Sequence, residues 1–339
     1  MKKILPHLLI LALCAVSCKK VPPVNPPVEV NSLTLDDNYA IIYSADYKLT
    51  ATVDPAGAPV TWTSSDESVA TVESDGWVRV HSAGTVTITA TAGDKEASCE
   101  LVINFCLSRD GPANCYIVPK SGFYYFKAAK GNSNQNLEGV TSVEVLWESF
   151  GTSTAPTKGD IIPGAVYYDY NTEPNNCIGF YTPTPLKQGN AVIAAKDTGG
   201  NILWSWHIWV CDDYKPEASA REYRDYYGTI KGTMMDRNMG ALSATPGDVG
   251  ALGLLYQWGR KDPFPGACEI AQNKFSRATG TWPPPMEANS STGTINFVTK
   301  TPTTYLTHSD DWYYTGSALS DNTRWQSTKT VYDPCPPGW

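Results

Sequence analysis

Long apolar segments, histidine and basic residues are all scarce in this 339-residue sequence. After residue 17 no stretch is apolar enough to cross a bilayer, which takes about 20 residues, so we predict no transmembrane helix. The formal charge is −8, and removing residues 1–17 takes away two lysines and no acids, which makes it −10. Nucleic-acid binding depends on clustered Lys and Arg, so this balance argues against a nucleic acid as partner.

Enzyme motifs are also missing: the sequence has no HExxH, GxSxG or GxxxxGK[ST], and it has no CxxC pair for structural zinc. We therefore predict a non-enzymatic protein without a metal or cofactor. A glycosidase needs only two carboxylates at the correct separation, so Glu144 with Glu148, or Asp310 with Asp311, stay open as acidic pairs. Alternate strand residues share a face, which predicts that Glu144 and Glu148 lie together in solvent.

Residues 1–17 have the pattern of a secretory signal, with Lys2 and Lys3 before the apolar run 4–16. Small residues lead to Cys18 in AVSC, and here the sequence resembles a bacterial lipoprotein signal. The resemblance implies that Cys18 is lipidated and anchors the mature chain in the outer membrane. We expect it to face the cell surface, with the periplasmic side as the alternative. An ordinary cleaved signal is the other interpretation.

Residues 18–27 contain VPPVNPPV, whose paired prolines predict a semi-rigid linker after the anchor. The chain has nine cysteines, of which Cys14 would leave with the signal and Cys18 would carry lipid. The number left is odd. In an oxidising compartment at least one thiol therefore stays free or pairs outside the chain.

Region 28–104 alternates short apolar runs with turn residues. In GTVTITATAG the residues Val86, Ile88 and Ala90 alternate with threonines, which places one face in a core. Further short strands at this spacing predict a two-sheet sandwich with Trp62 between the sheets. The run VTWTSSDESVATVESDGWVRVHSAGTVTITATAGD is similar to bacterial immunoglobulin-like domains of group 2. That family supplies spacers and adhesive modules to surface proteins, and it implies no catalytic residue.

Region 105–215 is predicted to be a β-rich domain. The segments CYIVPKSGFYYFKAA, SVEVLWESF, AVYYDY and CIGFYT predict strands, and NAVIAAKDTGGNILWSWHIWV predicts a hairpin that turns at 198–200. One face of its second strand is apolar and expected in the core: Ile202, Trp204, Trp206 and Ile208. On the other face, His207 either lines a binding surface or, as we favour, is a hydrogen-bonded, partly buried histidine.

Region 216–339 contains MDRNMGA, YQWGRKDPF and DPCPPGW. With ANCYIV and WSWHIW upstream, these motifs resemble surface lipoproteins of Bacteroidetes, many of them grouped with fimbrillin-type proteins. The resemblance covers residue 105 to the end and implies a surface-exposed, non-enzymatic protein. The CPPGW run also looks like part of a C-type-lectin-like domain, which implies an α+β region. Members of the group usually continue beyond this run, so we expect a fragment that stops at Trp339.

Charged and aromatic residues of this region supply the candidate ligand contacts. We expect Asp236 with Arg237, and the run 260–262, to form salt bridges that hold loops on an aromatic core. Exposed Trp and Tyr stack on the apolar faces of sugars, while nearby Asp side chains bond the hydroxyls. The candidates, each also open to a role in the core, are Trp258, Trp282, Trp312, Tyr313, Tyr314, Asp310 and Asp311.

The chain is therefore predicted to be mainly β, an Ig-like β-sandwich followed by a β-rich region that becomes α+β towards the C-terminus. We expect an adhesin or fimbria-associated recognition protein of the cell surface. The alternative is a surface glycan-binding lipoprotein that serves polysaccharide uptake. The expected partners are the membrane, through the lipid anchor, and host or microbial glycans or surface proteins.

Overall fold

A computed structural model describes residues 29–150, 158–169, 175–269, 274–277, 285–308, 311–314, 324–326 and 328–339. The predicted signal, the lipidation site Cys18 and the whole linker 18–27 lie outside these ranges, as do Trp282 and Asp310. Almost all regular structure in the described chain is β-strand, with two short α-helices, so the predicted mainly β fold is confirmed.

The N-terminal unit is the predicted two-layer sandwich. Its strands are β1 (Ser32–Leu35), β2 (Tyr39–Tyr43), β3 (Tyr47–Lys48), β4 (Ala51–Asp54), β5 (Thr61–Ser64), β6 (Ala70–Val72), β7 (Trp77–Val80), β8 (Gly84–Ala92) and β9 (Lys95–Cys106). One layer runs β5-β8-β9 with β2 on the far side of β9, the other runs β3-β7-β6, and β1 pairs with β4. The inward residues Val86 and Ile88 are buried as predicted, and Trp62 packs against both apolar clusters of the unit.

The second unit contains β10 (Cys115–Val118), β11 (Gly122–Lys127), β12 (Ser142–Ser149), β13 (Tyr167–Asp169), β14 (Cys177–Thr182), β15 (Gly189–Lys196) and β16 (Ile202–Val210). A four-stranded sheet in the order β10-β16-β15-β12 includes the predicted hairpin β15–β16. Trp204, Trp206 and Ile208 from this sheet pack with Phe126 and Phe180 of β11 and β14 in the largest apolar cluster. The apolar face predicted for the second hairpin strand is therefore core.

The remaining elements are short. They are α1 (Pro216–Ser219), β17 (Arg221–Arg224), β18 (Ile230–Met234), a 3-10 helix (Val249–Ala251), β19 (Leu255–Tyr256), β20 (Pro263–Phe264), β21 (Gly266–Glu269), β22 (Lys274–Arg277), β23 (Met286–Glu287), α2 (Ile295–Lys300) and β24 (Leu306–Thr307). Segments of this region cover the second face of the four-stranded sheet, where Trp147 and Val192 pack with Leu254 and Phe264. Both faces of that sheet are consequently buried.

A single sheet joins the first two units. Its strand order is β13-β14-β11-β9-β8-β5, because the end of β9 pairs with β11 through Phe105 and Cys106. The predicted boundary at 104/105 therefore falls inside a continuous strand. The Tyr124 hydroxyl lies 2.9 Å from the Ser82 hydroxyl and donates to the carbonyl of Lys120 at 2.9 Å. The buried contact with Ser82 joins the two units, and the bond to Lys120 holds the Tyr124 hydroxyl in place.

Glu148 does not lie in solvent beside Glu144, contrary to the prediction from strand alternation. A β-bulge between Val145 and Trp147 shifts the register of β12, and Glu148 is buried rather than solvated. Its carboxylate accepts hydrogen bonds of 2.8–2.9 Å from the backbone N–H groups of residues 160–162. Glu144 stays at the surface and pairs with Lys196 at 2.7 Å. The two carboxylates therefore have separate structural partners.

Two further observations concern membrane and redox properties. No helix in the described ranges has the length and apolar character needed to cross a membrane. Cys99, Cys106, Cys115, Cys211 and Cys335 are free thiols. The expectation of at least one unpaired cysteine is thus met in the described part of the chain.

Candidate functional site

The predicted distal ligand residues gather around one arginine. Arg324 pairs with Asp311, and its guanidinium lies 5.0 Å from the Trp312 ring and 4.7 Å from the Tyr313 ring. Trp312 is only 3% exposed and donates from Nε1 to the carbonyl of Trp258 at 2.7 Å. Trp312 is thus a core residue here, because it is almost fully buried and its ring packs against Arg324.

Other predicted ligand residues of this cluster are more accessible. Trp258 is 48% exposed, and its ring stands edge-on to Trp325 at 4.8 Å. Tyr314 is half-buried beside His308, at a ring distance of 5.1 Å, and its backbone N–H donates to Gly293. The structure thus brings Trp258, Trp312, Tyr313 and Asp311 together, with one exposed indole among them.

The predicted salt bridges form at Arg237 and at Lys261, whereas Arg260 hydrogen-bonds Gln257 and the carbonyls of Pro302 and Thr304 and makes no ion pair within the described ranges. Arg237 pairs with Asp236 at 2.9 Å and lies 3.9 Å above the ring of Tyr214. Lys261 and Asp262 are both buried, pair at 2.7 Å, and share the side chain of Ser205. These groups attach the third region to the back of the four-stranded sheet, and their hydrogen-bonding capacity is used inside the protein.

His207 is fully buried, where partial burial was expected. Its Nε2 lies 2.9 Å from Oδ1 of Asn190, and its Nδ1 lies 3.0 Å from the hydroxyl of Tyr256. Burial lowers the pKa of His207 to about 3, so the ring is neutral at physiological pH. The hydrogen-bonded core role is the one that the structure supports, because the third region covers the face on which His207 lies.

An accessible aromatic surface lies elsewhere, on the outer face of the shared sheet. Strand β2 was not predicted, and it projects Tyr39, Ile41 and Tyr43 outward, each about half exposed, while Ile42 faces the core. Strands β2 and β11 run end to end along the same side of β9. The Tyr43 ring consequently meets Tyr125 of the second unit at 6.2 Å.

The second unit continues this surface. Phe123 lies opposite Tyr181 in the register of β11 and β14, with ring centroids 4.7 Å apart. A Cβ added at Gly179 would stand 2.7 Å from the Phe123 ring, so the glycine lets that ring lie across the strand. Tyr167, opposite Gly179 on β13, adds another half-exposed ring. We call Tyr39, Ile41, Tyr43, Phe123, Tyr167 and Tyr181 the aromatic face; the ring of Tyr125, which is only 6% exposed, packs between Tyr43 and Phe123.

A groove opens beside the aromatic face where the two units meet. Its volume is about 530 Å³, within the roughly 300–1,000 Å³ usual for ligand sites. Thr85 and Asn104 line it from the first unit, and Lys120, Phe123 and Tyr181 line it from the second. Within the ranges that the structure describes, no group of three or more His, Cys, Asp or Glu side chains could hold a metal ion. The groove is lined by aliphatic residues and glycines together with two rings, neutral polar side chains and the charged Asp66 and Lys120.

Residues 29–101 match the family described as bacterial Ig-like domain (group 2). This part of the chain is a bacterial Ig-like domain. The predicted bounds of 28–104 agree with the match to within three residues at each end. The remainder of the shared sheet belongs to the second unit. The Ig-like domain therefore supplies Tyr39, Ile41 and Tyr43 of the aromatic face and one side of the groove, and the second unit supplies the rest.

A curated relative and several solved structures are also similar. The chain is 52% identical over 60 residues to an α-L-arabinofuranosidase of Bifidobacterium longum, which covers 17% of this chain and 6% of that protein. Intimin of EHEC O157:H7 is 18% identical over 36% of this chain and 54% of its own, with a TM-score of 0.19. SGBP-B of the Bacteroides ovatus mixed-linkage glucan utilization locus, in complex with a mixed-linkage heptasaccharide, is 18% identical over 52% of this chain and 43% of its own, with a TM-score of 0.16. Scores of this size support no conclusion about function.

Proposed function

We propose that the chain is a non-enzymatic recognition protein of the cell surface, an adhesin or fimbria-associated protein that contacts its partner through the aromatic face. The observation that carries this proposal is the exposure of that face. Tyr39, Ile41, Tyr43, Tyr167 and Tyr181 are each between 51% and 53% exposed. Contiguous exposed apolar surface is uncommon on monomeric proteins and marks interaction sites.

The composition of the face supports contact with a partner. Tyrosine is enriched in interfaces because its ring supplies apolar area while its hydroxyl stays hydrogen-bonded. The face also spans both units, and the Tyr124 and Ser82 hydroxyls fix those units together. A partner would therefore meet one prearranged surface rather than two independent ones, which lowers the entropy lost on binding.

The anchor belongs to the same proposal. A lipid on Cys18 would hold the Ig-like domain near the outer membrane, with the linker 18–27 as a spacer. Labelling with radioactive palmitate tests this, because a Cys18→Ser chain should lose the label that the unchanged chain carries. An unlabelled chain with its first methionine intact would remove the tether from the proposal.

Adhesion is tested with beads that carry residues 18–339 and are applied to host epithelial cells and to bacterial cells. Replacing Tyr39 and Tyr43 by Ser should reduce bead attachment by at least fivefold. The matched control replaces Tyr226 and Tyr227 by Ser, which are 96% and 88% exposed on the turn between β17 and β18. Attachment that survives loss of Tyr39 and Tyr43, but not loss of the control pair, would contradict the proposal.

A surface glycan-binding protein for polysaccharide uptake is the second candidate function. The groove favours it, because two rings stand there beside several polar side chains. The two candidates differ in their ligand, a cell surface in one and a soluble glycan in the other. Bead attachment tests the first candidate, and saccharide titration tests the second.

A further inference from the structure

We propose that the groove between the Ig-like domain and the second unit binds a neutral oligosaccharide. The inference rests on the proposed recognition function and names the ligand class of one part of its surface. Four features of the groove support this inference: two rings on one wall, polar side chains without hydrogen-bond partners in the described chain, charges that are few and not clustered, and a floor formed by close backbone contact.

The ring wall consists of Phe123 and Tyr181. Their centroids are 4.7 Å apart at an interplanar angle of 54°, and Tyr181 is 53% exposed. Such a wall presents apolar area to one side of a ligand only. Sugars have one face of C–H groups and a rim of hydroxyls, so a ring contacts the face while the rim stays polar.

Polar side chains with spare hydrogen-bonding capacity also line the groove. Thr85, Asn104 and Thr184 line the groove, and their side chains have no hydrogen-bond partner within the described part of the chain. Together they offer two hydroxyls and an amide, each able to donate and to accept. A ligand rich in hydroxyls uses both capacities. An apolar peptide side chain would leave them unpaired, which costs binding free energy.

Two charges of opposite sign line the same groove. Hydrogen bonding from the Ser68 side chain, and the positive charge of Lys120, lower the pKa of Asp66, so this carboxylate is ionised. Lys120 is cationic and pairs with Asp213 at 2.6 Å. Asp213 already neutralises Lys120, so Asp66 is the one charged side chain of the lining that forms no ion pair within the described residues, and neither sign is clustered. A single carboxylate disfavours an anionic ligand and is too little to hold a cationic one, which leaves a neutral ligand.

The floor of the groove is rigid. A Cβ added at Gly122, whose φ is +147°, would stand 2.9 Å from Cβ of Ala83. The two units touch here through backbone, and Ala83 is part of the core of the second unit. Thr182 fixes the position further, because its hydroxyl accepts from the backbone N–H of Gly122 at 3.1 Å. The groove thus exists before a ligand arrives, which favours binding.

Titration calorimetry with the chain 18–339 tests the proposal. The probes are cellohexaose, xylohexaose and mannohexaose, with hexagalacturonate as the anionic counterpart. At least one neutral probe should bind. Tyr181→Ala should raise its Kd by about tenfold, and Asn104→Leu by about fivefold, since each removes one contact. Tyr226→Ser, on the turn between β17 and β18 and outside both the groove and the aromatic face, should leave Kd within about twofold. Circular dichroism confirms that each variant is folded.

The outcomes separate this inference from the proposed function. No binding of any neutral probe, or tighter binding of hexagalacturonate, overturns the inference. Binding that is unchanged in both groove variants places the sugar elsewhere and overturns it as well. Bead attachment is measured on the same preparations. Attachment without saccharide binding overturns only the inference about the groove. If the unchanged chain shows neither attachment nor saccharide binding, the proposed recognition function is overturned as well.

Discussion

Lowering the pH should destabilise the second unit through one residue, His207. Its pKa is about 3 in the folded chain against an ordinary value of 6.5, because the ring is buried. Below pH 6.5 His207 therefore binds a proton in the unfolded chain but not in the folded chain. Above pH 6.5 the neutral ring makes its full contribution to the free energy of unfolding. As the pH falls from 6.5 towards 3, this contribution decreases by about 1.4 kcal/mol per pH unit. Between pH 6 and pH 4.5 the loss from this residue is about 2 kcal/mol.

The assay is urea unfolding at several pH values, followed by tryptophan fluorescence. The buried indoles of Trp206 and Trp209 report on the sheet that holds His207. His207→Gln should be less stable at neutral pH, because it perturbs the hydrogen bonds to Asn190 and Tyr256. It should also lose the His207 part of the pH dependence. The half-buried His308→Gln serves as the control and should keep the full slope. If the free energy of unfolding has the same slope against pH in the unchanged chain and in His207→Gln, His207 is not the source of this pH dependence.

Three further predictions concern stability. Glu148→Ala should cost about 3 kcal/mol, because it leaves three backbone N–H groups without their acceptor. The control Glu144→Ala, at a surface ion pair, should cost less than about 1 kcal/mol in urea unfolding. Asp262→Ala should cost about 3–5 kcal/mol, since it strands the buried ammonium of Lys261, whereas replacing both by Met and Leu should be nearly neutral in a double-mutant cycle. Tyr124→Phe should cost about 1 kcal/mol and speed amide exchange at the junction, and unchanged exchange would contradict a fixed junction.

The elements that the sequence predicts best are those with one buried face. In β8, Val86 and Ile88 face the core while the threonines between them are not fully buried, so alternation alone identifies the strand. Strand β2 gives no such signal, because Tyr39, Ile41 and Tyr43 are apolar on the outer face too. The residues that carry the candidate site are therefore the ones that hide the strand from a pattern search.

Long-range contacts explain the other differences. The alternation in SVEVLWES is broken by a bulge, which depends on pairing with β15 and on three N–H groups more than ten residues away. Asp311 and the aromatic residues after it pack around Arg324, which lies 13 residues further along the chain. The partners of Glu148 and of Asp311 are therefore too distant in sequence to appear in a local pattern. The burial of Trp312 follows from these distant partners rather than from its own neighbours.

Hydroxyl-radical footprinting of the chain 18–339, free and bound to cells, tests the central claim most directly. Binding to cells should protect Tyr39, Tyr43, Tyr167 and Tyr181 from oxidation, while Tyr226 and Tyr227 should react as fast as in the free chain. Protection of Tyr226 and Tyr227 together with unchanged oxidation of the aromatic face would contradict it.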